Sequence, residues 1–231
     1  MSDKLILFDI DGTLLRTNGA GVGAFNEAGR RVFGEDFSLE GLLVGGQLDS
    51  LILGRALDRL GIEHFEAHLD IFRLHYHECL TRHFDSGERE AEAMPGVQEL
   101  LVRLGDHDQF DVGMLTGNLE ETGLLKLKAA GIASDHFHIH AWGDEGDSRE
   151  ALPPVAVTRW REHRSADREF HQAIIIGDTI HDVGCAKANG CRVLGVCTGV
   201  DDRPTLEQAG ADLVLDDLSD TDSVMSWLET I

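Results

Sequence analysis

Asp9 and Asp11 stand two residues apart, directly after the apolar run Leu5-Ile6-Leu7-Phe8, and Gly12 follows them. Such a run is expected of a strand buried on both faces of a parallel sheet. A side-chain period of two sends both carboxylates the same way from the strand's end. Carboxylates that close repel one another unless a cation lies between them. Open α/β sheets bind their ligands at the carboxyl ends of their strands, so the chemistry suggested is metal-assisted. An Asx-type turn would use the same residues with no metal.

Two later stretches repeat the arrangement. Met114-Leu115-Thr116-Gly117-Asn118 ends an apolar strand in a hydroxyl, a glycine and an amide. The Thr116 hydroxyl and the N–H groups opening the next helix would make a small anion site for a phosphoryl oxygen, with Gly117 and Asn118 beside it. Ile174-Ile175-Ile176 runs into Gly177-Asp178-Thr179-Ile180-His181-Asp182. Mg²⁺ takes a few oxygen ligands plus waters, and Asp178 joining Asp9 and Asp11 would supply them. Asp182 is either a further ligand or the cap of the following helix.

The elements that must position these residues follow from periodicity. Residues 16–92 show no strand pattern and read as helices over 19–33, 51–60 and 64–83, with Asp49 or Ser50 as a cap. From Met94 onward strands and helices alternate. Strands are expected over 111–115, 137–141, 173–176, 192–196 and 213–215. Helices are expected over 95–104, 118–130, 153–161, 182–189, 205–209 and 223–228, with Asn118 capping the second of these. That rhythm predicts an α/β fold, a doubly wound parallel sheet formed by residues 1–15 and 93–231, with 16–92 as an all-helical insertion.

Composition narrows the function. The 231 residues hold 42 acidic and 20 basic side chains, a net charge of −22, which argues against nucleic acid and anionic membrane as partners. The basic residues are nearly all Arg; Lys occurs only at 4, 126, 128 and 187. Four cysteines without CxxC spacing read as reduced thiols. No secretory leader and no run of 18 apolar residues are evident, so a soluble cytoplasmic protein is expected.

Taken together, Asp9-Ile10-Asp11-Gly12-Thr13, Thr116 and Gly177-Asp178…Asp182 resemble the motifs of haloacid dehalogenase-superfamily phosphatases, in the phosphoglycolate phosphatase-like branch. The resemblance covers essentially the whole chain and makes 16–92 a cap over the substrate. It implies a Rossmann-like core and a phosphatase of small phosphorylated metabolites. Asp9 would be the nucleophile and Asp11 the acid and base. Mg²⁺ would be held by Asp9, Asp178, the Asp11 backbone carbonyl and Asp182. Dehalogenases proper lack the second aspartate, so Asp11 favours phosphoryl transfer. A sugar phosphomutase, or an inactive interaction protein on the same fold, are the rival readings.

One family feature is missing. The segment Gly146-Asp147-Ser148-Arg149-Glu150-Ala151-Leu152-Pro153-Pro154 holds no lysine where the family places its catalytic cation. Arg149 is the expected substitute and Lys126 its rival, because Lys126 must reach back along its helix. Specificity is expected to lie in the insertion, near residues 45–49. His136, His138 and His140 alternate along a strand and could suit zinc, but a polar face on an edge strand accounts for them better. His64 and His68, one helical turn apart, are discounted in the same way, and the apolar stripe of the insertion is read as its own packing.

Overall fold

The computed structural model describes residues 2–63, 65–87, 89–163 and 169–231. The chain opens in β1 (Ser2–Phe8), turns through β2 (Leu15–Arg16), and passes into α1 (Ala20–Phe33), α2 (Asp49–Leu60) and α3 (Phe65–Asp85). It returns through β3 (Glu92–Ala93) to α4 (Val97–Gly105), β4 (Phe110–Leu115), α5 (Glu120–Ala129) and β5 (Ile139–Ala141). Then come α6 (Leu152–His163), β6 (Glu169–Gly177), α7 (Ile180–Ala188), β7 (Arg192–Val196), α8 (Arg203–Ala209), β8 (Leu213–Leu215) and α9 (Thr221–Thr230).

Six strands form one parallel sheet in the order β5-β4-β1-β6-β7-β8. Alternation along β1 divides the core between the sheet's two faces. Ile6 and Phe8 pack with Leu100, Leu104 and Val224, whereas Leu5 and Leu7 pack with Ala156, Trp160 and Val183. α4 and α9 therefore cover one face, and α6 and α7 the other, as a doubly wound sheet requires.

α1, α2 and α3 bury a cluster of their own, including Phe25, Phe37, Leu53, Phe72, Tyr76 and Leu80. The Phe25 ring centroid lies 4.6 Å from that of Phe72 and 5.0 Å from that of Tyr76. The apolar stripe of the insertion thus packs largely on itself, with Leu119 of the sheet region joining it. The pairing of β2 with β3 has no counterpart in the sequence reading; two-residue strands are too short to carry an alternation. His64 lies outside the described residues. β5 is an edge strand; Ile139 in it and Phe137 ahead of it are buried, His138 is exposed, and His140 is half-buried with its ring stacked 5.5 Å from that of Trp142. His136 sits in a 3₁₀ turn before that strand.

Candidate active site

β1 lies between β4 and β6, with Phe8 in register with Met114 on one side and Ile176 on the other. Asp9, Thr116 and Asp178 each follow these partners by one or two residues, so the sheet register sets them side by side. The turn after Asp9 closes tightly: the Leu14 and Leu15 N–H groups both donate to the Ile10 carbonyl, at 2.9 and 3.1 Å. Gly12 has a φ of 83°, and a Cβ there would lie 2.5 Å from Asp178 Oδ2. Both the left-handed backbone and the close approach require glycine.

The strand-end carboxylates form one buried group. Asp9, Asp178 and Asp182 each offer an oxygen within 4.8 Å of the others. Arg149, carried by a 3₁₀ turn ahead of α6, places Nη2 at 3.1 Å from Asp9 Oδ1 and 2.5 Å from Asp182 Oδ1. Its Nη1 donates to the Gly46 carbonyl of the insertion at 3.2 Å. Burial works against the guanidinium charge, but Asp182 and Asp9 outweigh it and hold Arg149 above its ordinary pKa. Burial, with Asp182 and Asp9 nearby, pushes Asp178 up to about 8. Burial likewise raises Asp9 to about 6, against the pull of Arg149. Asp178 accepts hydrogen bonds from the Thr13 hydroxyl at 3.2 Å and the Val200 N–H at 2.9 Å.

Asp182 is the N3 residue of a capping box, not the N-cap. Thr179 is the N-cap of α7; its hydroxyl donates to Asp182 Oδ2 at 2.7 Å and its N–H to the same oxygen at 3.1 Å.

Asp11 has other neighbours. Its Oδ2 accepts from Lys126 Nζ at 2.6 Å and Asn118 Nδ2 at 2.9 Å, and its side chain is absent from the three-carboxylate group. Lys126 does reach back along α5, its Nζ also donating to Asn118 Oδ1 at 2.5 Å. Asn118 therefore does not cap α5, contrary to expectation. Leu119 is the N-cap, and its N–H donates across the interface to Asp49 Oδ2 at 3.2 Å. Nor do Asp49 or Ser50 cap α2; Asp49 is already its first residue, and the Ser50 hydroxyl donates to the Gly143 carbonyl at 2.8 Å. Both sets of polar groups serve tertiary contacts, which local spacing cannot reveal.

Thr116 is fully buried, its hydroxyl accepting from Asn118 Nδ2 at 2.8 Å and keeping its own hydrogen to donate. The Gly117 carbonyl accepts from the Asp49 N–H at 2.7 Å, and a Cβ on Gly117 would meet the Gln47 carbonyl oxygen at 2.0 Å. That residue lets the 45–49 segment close onto the sheet. The result is a cavity of about 320 Å³ between sheet and insertion, lined by Asp9, Asp11, Thr116, Asn118, Lys126, Arg149 and Asp178 from the core. Gly45, Gly46, Gln47 and Asp49 line it from the insertion. Residues 45–49, where specificity was expected, do line the cavity, whereas Thr13 and Val200 escaped sequence reasoning as site residues; the place of Thr13 in the opening motif was the available signal.

The chain is 28% identical over 217 residues to the pyrophosphatase PpaX of Listeria welshimeri, with 93% of each chain covered. CbbY from Rhodobacter sphaeroides, solved as a mutant with xylulose-1,5-bisphosphate, superposes with a TM-score of 0.73 at 21% identity over 95% of this chain and 96% of that one. A hydrolase from Pseudomonas syringae superposes with a TM-score of 0.69 at 21% identity, covering 100% and 99%. These two structures share the fold. Residues 6–196, which include every strand-end motif described above, match the family model of the haloacid dehalogenase-like hydrolases, and the chain belongs to that family.

Proposed function

We propose that the chain is a Mg²⁺-dependent phosphatase of small, cytoplasmic phosphate monoesters that works through an aspartyl-phosphate on Asp9. One observation carries this reading. A buried carboxylate, gripped at one oxygen by Arg149, shares a cavity with a second carboxylate two residues on that is held by Lys126.

The residues fit a divalent cation. Asp9, Asp178 and Asp182 supply hard oxygen donors within 4.8 Å of one another, and burial with nearby carboxylates disfavours the charge on Asp9 and Asp178. Asp9 and Asp178 would hold the ion. Asp182, whose oxygens meet Thr179 and Arg149, orients the guanidinium and lies close enough to join Asp9 and Asp178 as a third ligand. When bound, Mg²⁺ offsets the repulsion between Asp9 and the phosphate dianion, about 4 kcal/mol per charge pair at 4 Å and an effective dielectric of 20.

The remaining steps belong to this chain's own groups. Arg149 fixes Asp9 Oδ1, which leaves Oδ2 to attack phosphorus as the ester oxygen departs. Lys126 and Asn118 hold Asp11 Oδ2, so Oδ1 delivers the proton to the departing oxygen. In the second half, Asp11 takes a proton from water as that water attacks phosphorus, releasing phosphate and free Asp9. The Thr116 hydroxyl donates to an equatorial oxygen as charge builds. Helices α1 to α3 act as the cap that excludes bulk water.

Phosphate release from a monoester panel with Mg²⁺, together with mass spectrometry of acid-quenched enzyme, tests this. The expected result is turnover and one phosphoryl group on the peptide containing Asp9. Turnover without that adduct in the rapid-quench window would overturn the covalent route, and no turnover would overturn the phosphatase reading.

A further inference from the structure

The two ends of the cavity differ in kind. At the sheet end lie the carboxylates and cations already described. The insertion contributes Val22, Phe25, Leu39, Val44 and Ile52, a wall of aliphatic and aromatic carbon. Among the described residues three cations line the cavity, and each is already paired. Arg149 is bound to Asp9 and Asp182, Lys126 to Asp11, and Arg16 to Glu92 at 2.7 Å. The amides lining the insertion side are engaged as well. Gln47 meets His181 at 2.9 Å and accepts from Arg55 at 3.0 Å, while Asn18 donates to the Glu90 carbonyl and to Glu92.

What remains on that side is Tyr76, whose hydroxyl has no hydrogen-bonding partner among the described residues, the Thr17 hydroxyl, which accepts from the Gly21 N–H at 3.4 Å and keeps its own hydrogen, and Asp49, a buried carboxylate in the wall. An anionic group on the far side of the ester would meet carbon and Asp49 with no free cation among the described residues to compensate it.

Resting on the phosphatase reading, we infer that the alcohol half of the substrate is uncharged and largely apolar, an aryl or branched alkyl group carrying at most hydroxyls, and that the cavity rejects a second carboxylate or phosphate. The phosphoryl end takes up Arg149, Lys126 and the metal, and among the described residues no unpaired cation is left for the other end. Tyr76 is placed to accept from or donate to a single hydroxyl there. Asp49 makes the rejection electrostatic as well as steric.

Matched esters separate charge from leaving-group chemistry. Benzyl phosphate and 4-carboxybenzyl phosphate differ in one distant carboxylate, which barely alters the leaving oxygen. For the full chain with saturating Mg²⁺, kcat/KM for benzyl phosphate should exceed that for its carboxylated partner by about 10²-fold, the scale set by leaving a buried charge unpaired. Asp49→Asn should narrow that ratio, since the amide oxygen can still accept from Leu119 while the charge is gone. Val22→Arg changes a half-exposed position on α1 and should raise kcat/KM for the carboxylated ester. Equal rates on the two esters, or a faster carboxylated one, would overturn this inference and leave the phosphatase reading standing. Turnover of neither ester, with no phosphate released across the wider panel, would overturn both.

Discussion

Asp9 and Asp11 come from one short motif, yet the fold gives them opposite surroundings. The Asp9 side chain is 6% exposed, packed among Asp178, Asp182 and Arg149 at the strand ends. The Asp11 side chain is 43% exposed and faces the cavity, tied to Lys126 and Asn118. A nucleophile benefits from a fixed, poorly solvated position, whereas a proton donor and acceptor must reach both the ester oxygen and water. The cations divide in the same way: one guanidinium nitrogen of Arg149, Nη2, bridges the carboxylates of Asp9 and Asp182, and the ammonium of Lys126 serves Asp11 and Asn118.

The comparison can be broken at each of its members. Asp9→Asn should lower turnover at least about 10⁴-fold with the fold intact, because no other described carboxylate at the site takes its place. Circular dichroism with phosphate release checks this, and substantial activity in a folded variant would end the nucleophile assignment. Asp11→Asn should lose about 10²- to 10⁴-fold, and more on alkyl than on aryl phosphates, whose leaving oxygens need the proton less. Equal losses on the two ester types would count against a proton-transfer role.

Arg149→Ala should cost about 10²- to 10³-fold in kcat, the scale for one preorganised electrostatic group. It should also cost about 3–5 kcal/mol of stability in urea unfolding, since Asp182 is left buried without its partner. Arg149→Lys should recover part of the activity but lose the bond that Nη1 donates to the Gly46 carbonyl. Lys126→Ala should cost only about tenfold, because Asp11 keeps solvent and Asn118 as partners. The reverse ranking of these two variants would transfer the family's cation role to Lys126.

The smallest effect concerns pH. Asp178, raised to about 8, and Asp9, raised to about 6, bind protons more tightly folded than unfolded, where such groups titrate near 3.8. Their contribution is therefore fully present below about pH 4 in the metal-free protein and falls as pH climbs toward 8. Mg²⁺ binds the deprotonated carboxylates, so it should raise Tm more at pH 8 than at pH 6, at about 2–4 °C per kcal/mol for a chain of this length. Thermal melts with and without chelator at the two pH values measure it. An equal shift at both would show that the ion does not bind the raised carboxylates.

Some of this was legible in the sequence alone. The apolar runs at 5–8 and 173–176 and the mostly apolar stretch 112–115 determined buried strands, and the polar residues after each determined which ends carry chemistry, because a strand's period and its stopping point are local properties. The same locality explains why the insertion read as helical and why its apolar stripe was assigned to itself. Tertiary structure alone decided the partners. Asn118 and Asp49 looked like helix caps because both have the short polar side chain that caps use. The fold sends Asn118 to Asp11 and Lys126 instead, and Asp49 to the N–H of Leu119 on another helix. Whether Arg149 or Lys126 would enter the site could not be settled by spacing, and the fold brings both in, 23 residues apart in the chain, to different carboxylates. Periodicity is encoded within a few residues, but a charge finds its partner only when the sheet order β4-β1-β6 sets distant strand ends side by side.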